Sequence, residues 1–495
     1  MTPFLEKLAA RRRFGMRQGL DEMRRICREL GDPGRCAMTI HVAGTNGKGA
    51  VAAILDSALR SAGFRTFRYT SPHLLRLNER FCIDGNPAPD GLLDRLAKQV
   101  EQVSAGNETT FFEALTAVAF LAIEETKPDF AILETGLGGR LDATNVCRPV
   151  LTVVTKIGLD HCEWLGGTVP EIAAEKAGIA KPGVPLVIGR NDDEARDMLE
   201  RRARKTGALP VYAPDIASLG EIPPDFSLSG SFNRENAVTA LAALKTLFAG
   251  TLPPHPLGTL PKSAGTLPKS EGTLPKSVGT LPKSAGTLPL TWPQLLEGFS
   301  KVVWPGRFQK IANFIVDGAH NPPAAHALAA ALRQEIYGDT PPKKRGDTPQ
   351  KDGQKDGDTP LRRFNLVAGF CGDKDIDKVL RILAPFVMKG YAVRSANPRS
   401  LAPEEVSERM KLAGIDAIPC NSLKKAINLA GSVPTDSGTV PSGGGGSVPV
   451  LICGSLFLAG ETLAFLNAYP WPAASSPDPS ELLQKVSRTA KQRGI

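Results

Sequence analysis

The feature that most constrains the fold is a glycine-punctuated turn, HVAGTNGKG, at residues 41–49. It stands between an apolar run at residues 37–42 and an alanine-rich stretch at residues 51–59, which predict a strand and a helix. Glycines let backbone N–H groups approach phosphate oxygens closely, and the following helix presents its partly positive N-terminus to them. Lys48 adds a flexible cation. The pattern indicates a site for a nucleoside triphosphate, with an ordinary strand-to-helix turn as the alternative.

The turn differs from the standard phosphate loop at the positions after its lysine. Gly49 and Ala50 follow Lys48, so no hydroxyl stands there to hold magnesium. Magnesium needs hard oxygen ligands and keeps several waters, so one or two carboxylates elsewhere would suffice. Glu134 is the best candidate, because it follows an apolar run and opens a glycine-rich segment in which Asp142 supplies a second carboxylate.

The length of 495 residues exceeds the size at which one hydrophobic core stops growing, which predicts two domains. We expect an ATP-binding domain at residues 1–304 and a C-terminal domain at residues 305–495. The composition, 42% hydrophobic and 22% charged, is ordinary for a globular enzyme, and no apolar run is long enough to span a bilayer. The eight cysteines include no CxxC pair, and the N-terminus lacks the apolar core of a secretory signal. We therefore expect reduced thiols and a cytoplasmic protein.

A net charge of +9 raises the question of a nucleic-acid partner. Residues 258–290, 338–363 and 474–495 together hold +7 of this charge. The first of these segments repeats the heptapeptide GTLPKSx, and a proline in every repeat excludes a coiled coil. We expect low-complexity surface insertions at about 256–290, 338–363 and 431–449, away from catalysis. Because the charge lies there and basic patches with interleaved aromatic residues are absent, the sequence argues against nucleic-acid binding.

Outside the insertions, short β-branched runs alternate with alanine- and leucine-rich stretches, which predicts an α/β fold with helices packed on a mostly parallel sheet. Besides the run before the glycine turn, strands are predicted at residues 129–133, 150–155, 186–188, 314–316, 364–368 and 450–453. Ligands of such sheets collect at the carboxyl ends of the strands. Glu134, His161 and Asp317 each follow a predicted strand, and Asp160 beside His161 gives the acid and imidazole grouping expected around a metal-bound nucleotide. Asn321 followed by Pro322 predicts the start of a helix.

Eight motifs, in the same order along the chain, resemble those of the folylpolyglutamate synthases of the Mur ligase superfamily, which include bacterial enzymes that double as dihydrofolate synthase. They are HVAGTNGKG (41–49), YTSPHLLRLNERFCIDG (69–85), TTFFEALTAVAF (109–120), ETGLGGRLDATN (134–145), IGLDHCEWLG (157–166), AAEKAGI (173–179), WPGRFQ (304–309) and DGAHNP (317–322). The resemblance covers nearly the whole chain. It implies a P-loop-type N-terminal domain like the central domain of Mur ligases, and a smaller Rossmann-like α/β C-terminal domain for glutamate ligation.

The resemblance also implies roles for individual residues. Contacts to ATP would come from Thr45, Asn46, Gly47, Lys48, Asn236, Arg307 and Asp317. Contacts to the pterin-containing substrate would come from Thr110, Phe111, Phe112, Glu113, Leu141, Asp142 and Ala143. Magnesium would be held by Ser71, Glu134 and His161. Lys176 resembles the lysine that is carbamylated in these ligases and then binds a second magnesium, and Lys48, Lys176 and His320 would act in catalysis. Composition alone would make Lys176 a solvated helix lysine, and Asp317 and His320 part of a polar helix cap.

The implied reaction is ATP-dependent amide formation through an acyl phosphate. Its partners would be ATP, magnesium as two ions, L-glutamate, and dihydropteroate or a reduced folate, with a monovalent cation as a further candidate. We expect a monomer that binds neither nucleic acid nor membrane. A cell-wall Mur ligase is one alternative, although TSPHL and FFE favour folate. A catalytically inactive nucleotide-binding protein is another, prompted by Ala50, where family members often have serine or threonine; the retained site residues argue against it.

Overall fold

The structure is a computed structural model, and it describes residues 19–105, 109–249, 290–337, 364–431 and 448–471. The three insertions predicted from the sequence lie outside these residues, apart from a few positions at their ends. The chain divides into two units. The first comprises Met1–Leu228 and Phe232–Trp304, and the second comprises Ser229–Ser231 and Pro305–Ile495. Within the described part of the chain, no helix combines the length and the apolar character needed to cross a membrane.

The strands of the first unit are β1 (Met38–Ala43), β2 (Thr66–Tyr69), β3 (Phe81–Ile83), β4 (Asn86–Pro87), β5 (Phe130–Glu134), β6 (Pro149–Val154), β7 (Pro185–Ile188) and β8 (Leu209–Tyr212). They form one sheet in the order β4-β3-β2-β5-β1-β6-β7-β8. β1 lies at the centre and runs parallel to β5 on one side and to β6 on the other. β3 and β4 pair antiparallel at one edge. The central strands are buried on both faces, which explains their continuous apolar runs.

The helices of the first unit are α1 (Asp21–Glu29), α2 (Lys48–Ser61), α3 (Asp90–Ser104), α4 (Phe111–Thr126), α5 (Cys162–Leu165), α6 (Val169–Lys176), α7 (Asp193–Thr206), α8 (Ala213–Ile216), α9 (Ser231–Leu247) and α10 (Trp292–Lys301). One face of the sheet packs on α2, α9 and α10, and the other packs on α1, α3 and α4. Small residues bring α2 and α10 close together, since a Cβ at Gly298 would lie 2.4 Å from the Ala58 Cα. The helix that follows the glycine turn is therefore fixed by packing along most of its length.

The second unit has its own sheet, formed by β9 (Gln309–Ile311), β10 (Phe314–Val316), β11 (Phe364–Ala368), β12 (Val387–Ala392), β13 (Ala417–Pro419) and β14 (Val450–Cys453). The order is β13-β12-β11-β14-β10-β9, parallel except for β9. Its helices are α11 (Pro322–Tyr337), α12 (Ile376–Leu383), α13 (Pro403–Leu412), α14 (Leu423–Gly431) and α15 (Leu456–Phe465). Each unit is thus a mostly parallel α/β structure.

The predicted α/β class is confirmed, and each strand listed from the sequence is present with its ends within one residue of the prediction. α11 begins at Pro322, and the Asn321 Oδ1 accepts the Ala324 N–H at 2.8 Å, which confirms the predicted helix start. The sequence did not predict β2, β3, β4, β8, β9, β12 or β13. These strands are short or carry residues that weaken a strand pattern, such as the charged Arg68 in β2 or proline in β4, β8 and β13.

Candidate active site

The carboxyl ends of β1, β5 and β6 lie side by side in the first unit. Just past β5, the Thr135 N–H donates to the Val42 carbonyl; just past β6, the Thr155 N–H donates to the Ala43 carbonyl, both at 2.9 Å. Val42 also stands opposite Glu134 in the register of β1 and β5. The loops after these strands therefore emerge at one edge of the sheet, which is where α/β proteins bind their ligands.

The loop between β1 and α2 has the close packing that its glycines permit. Gly44 and Gly47 have φ angles of 150° and 87°, which residues with a Cβ atom rarely adopt. A Cβ at Gly44 would lie 1.9 Å from Thr155 Oγ1, and one at Gly47 would lie 2.3 Å from Asn236 Oδ1. α2 begins at Lys48 without an acidic residue in its first turn, so its N–H groups keep a field that favours anions. This geometry fits the predicted phosphate loop, and it brings Asn236 against that loop.

The loop after β6 is tied to the phosphate loop by hydrogen bonds. The N–H groups of Thr45 and Asn46 both donate to the Lys156 carbonyl, at 2.9 and 3.2 Å. The Thr45 hydroxyl donates to the Gly158 carbonyl at 3.0 Å, and the Gly158 N–H donates to the same hydroxyl oxygen at 3.1 Å. Since His161 follows only three residues later, these bonds hold the beginning of its loop at the nucleotide edge of the sheet.

Lys176, at the end of α6, is buried, with 4% of its surface exposed. Burial, and next the positive charge of Lys48, lower the pKa of its amine from 10.5 to about 7, while the carboxylates of Asp160 and Asp142 act in the opposite direction. The interpretation of Lys176 as a solvated helix lysine is therefore wrong. Lys48 folds back so that its Nζ donates to two carbonyls of its own loop, at 3.0 and 3.2 Å. The two predicted catalytic lysines thus influence each other electrostatically.

Two of the predicted magnesium ligands meet at the end of β5. Glu134 is the last residue of this strand and is buried, and its Oε2 accepts a hydrogen bond from the Ser71 N–H at 3.1 Å. Among the described residues, no group of three His, Cys, Asp or Glu side chains is placed to hold a metal ion. Magnesium at Glu134 would therefore complete its shell with hydroxyl, phosphate and water oxygens, which is its usual preference beside a triphosphate. The donor set fits magnesium on those terms.

His161 is the third predicted magnesium ligand, and it lies directly before α5 with a φ of 52°. Its Nε2 is 3.8 Å from Asp160 Oδ1, and its side chain is 40% exposed. Its backbone N–H donates to the same carboxylate oxygen at 3.0 Å. Asp160 thus accepts a hydrogen bond from the backbone of His161 and lies near its ring.

One segment predicted to contact the pterin substrate packs on the loop that carries the other. Thr110 caps α4, and its Oγ1 accepts the Glu113 N–H at 3.2 Å while the Glu113 carboxylate accepts the Thr110 N–H and hydroxyl, each at 2.8 Å. Phe112 packs on Gly136 in the loop after β5, where a Cβ would lie 2.5 Å from the ring. Phe111 and Phe112 are both half-buried. Glu113 is therefore occupied as a helix cap, and contact of the two aromatic rings with the substrate stays a prediction.

Asp142 is buried inside the loop after β5. Its Oδ2 accepts the N–H groups of Gly136 and the following residue at 2.8 and 2.9 Å, and its Oδ1 accepts the N–H and the hydroxyl of Thr144 at 3.0 and 2.5 Å. Burial raises its pKa, and these hydrogen bonds oppose that rise. Because both oxygens are engaged, Asp142 orders the loop that carries Leu141 and Ala143. It is not placed as the second magnesium carboxylate that the sequence suggested.

Sequence reasoning missed Arg68 and Trp304. The Arg68 guanidinium is buried on β2, lies 5.2 Å from the centroid of the Trp304 ring, and has its Nη1 3.5 Å from Asp56 Oδ2. Trp304 in turn covers the first turn of α2, since a Cβ at Gly49 would lie 2.2 Å from its ring. The available signal was an arginine inside an otherwise strand-like run, which in a buried sheet indicates a specific partner.

In the second unit, Asp317 directly follows β10 and is buried. Its carboxylate accepts the N–H groups of Phe308 and Ala319, each at 2.7 Å. Burial raises its pKa, and the positive charge of Arg307 opposes the rise. The His320 Nδ1 donates to the carbonyl two residues earlier at 2.7 Å. Asp317 and Arg307 are thus electrostatic neighbours, while their roles toward the nucleotide, and that of His320 in catalysis, stay predictions.

A glycine turn with the geometry of a phosphate loop at the centre of a parallel sheet, with a carboxylate ending the adjacent strand and a buried lysine near the loop, is the arrangement expected of an ATP-dependent ligase of the Mur type. The family model of the Mur ligase middle domain matches residues 42–218. The chain is 34% identical over 355 residues to the dihydrofolate synthase/folylpolyglutamate synthase of Bacillus subtilis, which covers 66% of this chain and 74% of that protein. The chain belongs to the dihydrofolate synthase/folylpolyglutamate synthase family.

Solved structures give the same result over nearly the full length. The Mycobacterium tuberculosis folylpolyglutamate synthase complexed with ADP is similar with a TM-score of 0.73 and 26% identity, covering 94% of this chain and 99% of that one. A bifunctional folylpolyglutamate synthase/dihydrofolate synthase with Mn, AMPPNP and L-glutamate bound is similar with a TM-score of 0.70 and 26% identity, covering 94% and 98%. The recognition of the family from its motifs is therefore confirmed.

Proposed function

We propose that this protein adds L-glutamate to a reduced folate, and also to dihydropteroate, in an ATP-dependent reaction through an acyl phosphate. The observation that carries the proposal is the meeting of the phosphate loop, the Glu134–Ser71 pair and the buried Lys176 in one unit of a chain of this family. The bound Mn, AMPPNP and L-glutamate of one structural relative, and the double name of the Bacillus subtilis relative, support it.

The triphosphate would lie on the loop formed by Thr45, Asn46, Gly47 and Lys48. Because the N–H groups of Thr45 and Asn46 donate to the Lys156 carbonyl, the N-terminus of α2 would offer the hydrogen bonds and the favourable field to its oxygens. Lys48, now bonded to loop carbonyls, would exchange those neutral acceptors for charged phosphate oxygens, which form stronger hydrogen bonds. Asn236, packed on Gly47, would contact the nucleotide beside the loop.

Ser71, Glu134 and His161 would hold magnesium, which supplies positive charge for the phosphate oxygens. Lys176 is suited to carbamylation because only a neutral amine attacks carbon dioxide. The reaction forms an N–C bond, releases a proton and leaves a carboxylate. With a pKa of about 7, the amine is neutral in about half of the molecules at neutral pH. The resulting carboxylate would replace a cation that repels Lys48 with an anion that attracts it and a second magnesium.

The reaction itself needs positioning and charge neutralisation more than acid–base groups. A carboxylate oxygen of the pterin substrate attacks the γ-phosphorus, and the bond from that phosphorus to ADP breaks. The glutamate nitrogen then attacks the acyl carbon, phosphate leaves, and the nitrogen loses its proton. Lys48 would stabilise the charge on the transferring phosphoryl group, and the half-buried rings of Phe111 and Phe112 would orient the substrate.

The proposal is tested with purified protein, ATP, magnesium and labelled glutamate, in parallel with dihydropteroate and with a reduced folate. We expect phosphate release and a labelled amide product with at least one of them, and the ratio of the two rates assigns the preferred substrate. Absence of product with both would overturn the proposal. A parallel reaction with a nucleotide-sugar precursor tests the cell-wall alternative, and ATP binding without any turnover would identify an inactive nucleotide-binding protein.

We also propose that the enzyme works in the cytoplasm. All eight cysteines lie within the described residues, and each is a free thiol, as expected for a reducing compartment. Five of them are buried, so their packing does not depend on oxidation. Fractionation of the source cells, followed by an assay for glutamate ligation, tests this location. The predicted monomeric state is tested by the molar mass of the purified protein in solution.

A further inference from the structure

A histidine with no assigned role lies beneath the loop after β5. His41 stands in β1, two residues before the strand ends, and none of its surface is exposed. Its Nε2 lies 2.8 Å from the Thr144 Oγ1. Its Nδ1 is buried and has no hydrogen-bond partner. Burying an imidazole nitrogen without a hydrogen-bond partner costs free energy of desolvation. The hydrogen bond between His41 and Thr144 is therefore the polar contact that holds this ring.

The direction of the hydrogen bonds follows from the groups around Asp142. Burial raises the pKa of Asp142, but three backbone N–H groups donate to its carboxylate, two to Oδ2 and one to Oδ1, so both oxygens act as acceptors. The Thr144 hydroxyl, 2.5 Å from Asp142 Oδ1, must therefore donate to it. The oxygen of that hydroxyl can then only accept from His41, which fixes the proton of the imidazole on Nε2. Burial, and next the charge of Lys181, lower the pKa of His41 to about 3, so the ring stays neutral.

The resulting chain runs from His41 through Thr144 to Asp142. It joins β1, the strand that leads into the phosphate loop, to the loop whose residues Leu141 and Ala143 are predicted to contact the pterin substrate. Asp142 extends the chain to the N–H of Gly136, on which Phe112 packs. Directional hydrogen bonds therefore connect the histidine in the sheet to this loop.

We propose that His41 and Thr144 are positioning residues for the pterin-containing substrate, acting through a hydrogen-bond chain of fixed direction that orders the Asp142 loop. This inference rests on the proposed function, because it assigns the loop to that substrate. Neither residue is among those predicted to contact ATP. Their removal is therefore expected to weaken use of the pterin substrate and to leave use of ATP largely unchanged.

Thr144→Val removes the hydroxyl at nearly constant shape, and Thr144→Ser is the matched control that keeps it. Leaving a buried donor and acceptor unpaired typically costs enough to change an equilibrium about tenfold or more. We expect Thr144→Val to raise the KM for dihydropteroate or the reduced folate by about tenfold, with the KM for ATP changed less than about twofold. Thr144→Ser is expected to keep the wild-type KM for the pterin substrate. Equal rises in both KM values, or no rise in either, would overturn the inference.

Nitrogen-15 NMR of the wild-type protein tests the chain without any variant. We expect the His41 ring to carry its proton on Nε2 and to show no titration between pH 5 and pH 8, since its pKa lies near 3. A proton on Nδ1 would reverse the chain and overturn the inference even if Thr144→Val failed to fold. Wild-type protein that turns over neither pterin would instead refute the proposed function, whereas active wild type with an unaffected Thr144→Val would refute the inference alone.

Discussion

Lys176→Met is expected to stabilise the protein while removing its activity. Methionine has a similar length and no charge, so it fills the same buried position without the cost of desolvating an ammonium group. In the folded protein the pKa of Lys176 is lowered from 10.5 to about 7. Between these values the unfolded chain binds a proton that the folded chain has released. The stability of the wild type therefore rises with pH across this window, and the variant lacks that dependence.

The magnitude follows from the same pKa difference, at 1.36 kcal/mol for each pKa unit. At pH 6 Lys176 is protonated in both the folded and the unfolded protein. Burial of its charge then lowers the free energy of unfolding of the wild type by about 5 kcal/mol. At pH 9.5 the remaining cost is about 1.5 kcal/mol. The advantage of the variant is thus expected to shrink by about 3 kcal/mol between these pH values.

Urea unfolding at pH 6 and pH 9.5, in buffers freed of carbon dioxide, measures this difference. Lys205→Met is the matched control, because Lys205 also lies in the last turn of a helix but is exposed. The control is expected to change stability by less than about 0.5 kcal/mol at both pH values. Lys176→Met could raise the free energy of unfolding equally at pH 6 and pH 9.5. That result would refute the reasoning, because it would show that the lysine has an ordinary pKa. Added bicarbonate is expected to stabilise the wild type alone.

Three further predictions concern the nucleotide end of the site. Lys48→Ala is expected to lower kcat by at least about a hundredfold, because it removes the cation that stabilises the negative charge on the transferring phosphoryl group. The circular dichroism spectrum is expected to stay unchanged. Retained turnover would contradict the phosphate-loop assignment. Gly47→Ala places a Cβ 2.3 Å from Asn236 Oδ1 at a residue whose φ is 87°. We expect calorimetry to show ATP binding weakened by at least about tenfold. Unchanged binding would contradict this prediction. Glu134→Gln is expected to raise the magnesium concentration needed for half-maximal activity about tenfold or more, and an unchanged magnesium dependence would exclude Glu134 as a ligand.

Local patterns predicted much of the site because they depend on neighbours in the chain. The alternation of apolar runs gave most central strands, and glycines with a lysine between a strand and a helix gave the phosphate loop. Glu134 was predicted as a magnesium ligand because ligands usually bind at the ends of parallel strands. The short edge strands were not found, since their pairing is decided by partners distant in sequence and their own residues carry little strand preference.

The properties of single side chains depended on burial, which the sequence does not give. Nothing in the segment AAEKAGI distinguishes a solvated lysine from one with a pKa of about 7. Burial of Lys176 and the nearby charge of Lys48 made that difference. The sequence predicted Asp142 as a carboxylate available to a ligand, but in the structure its oxygens accept four hydrogen bonds. Local sequence patterns were thus enough to predict the fold class and the family, and they predicted the phosphate loop. The desolvation and the bonding partners of the polar groups depend on atoms brought together from distant parts of the chain, so these properties became visible only in the folded protein.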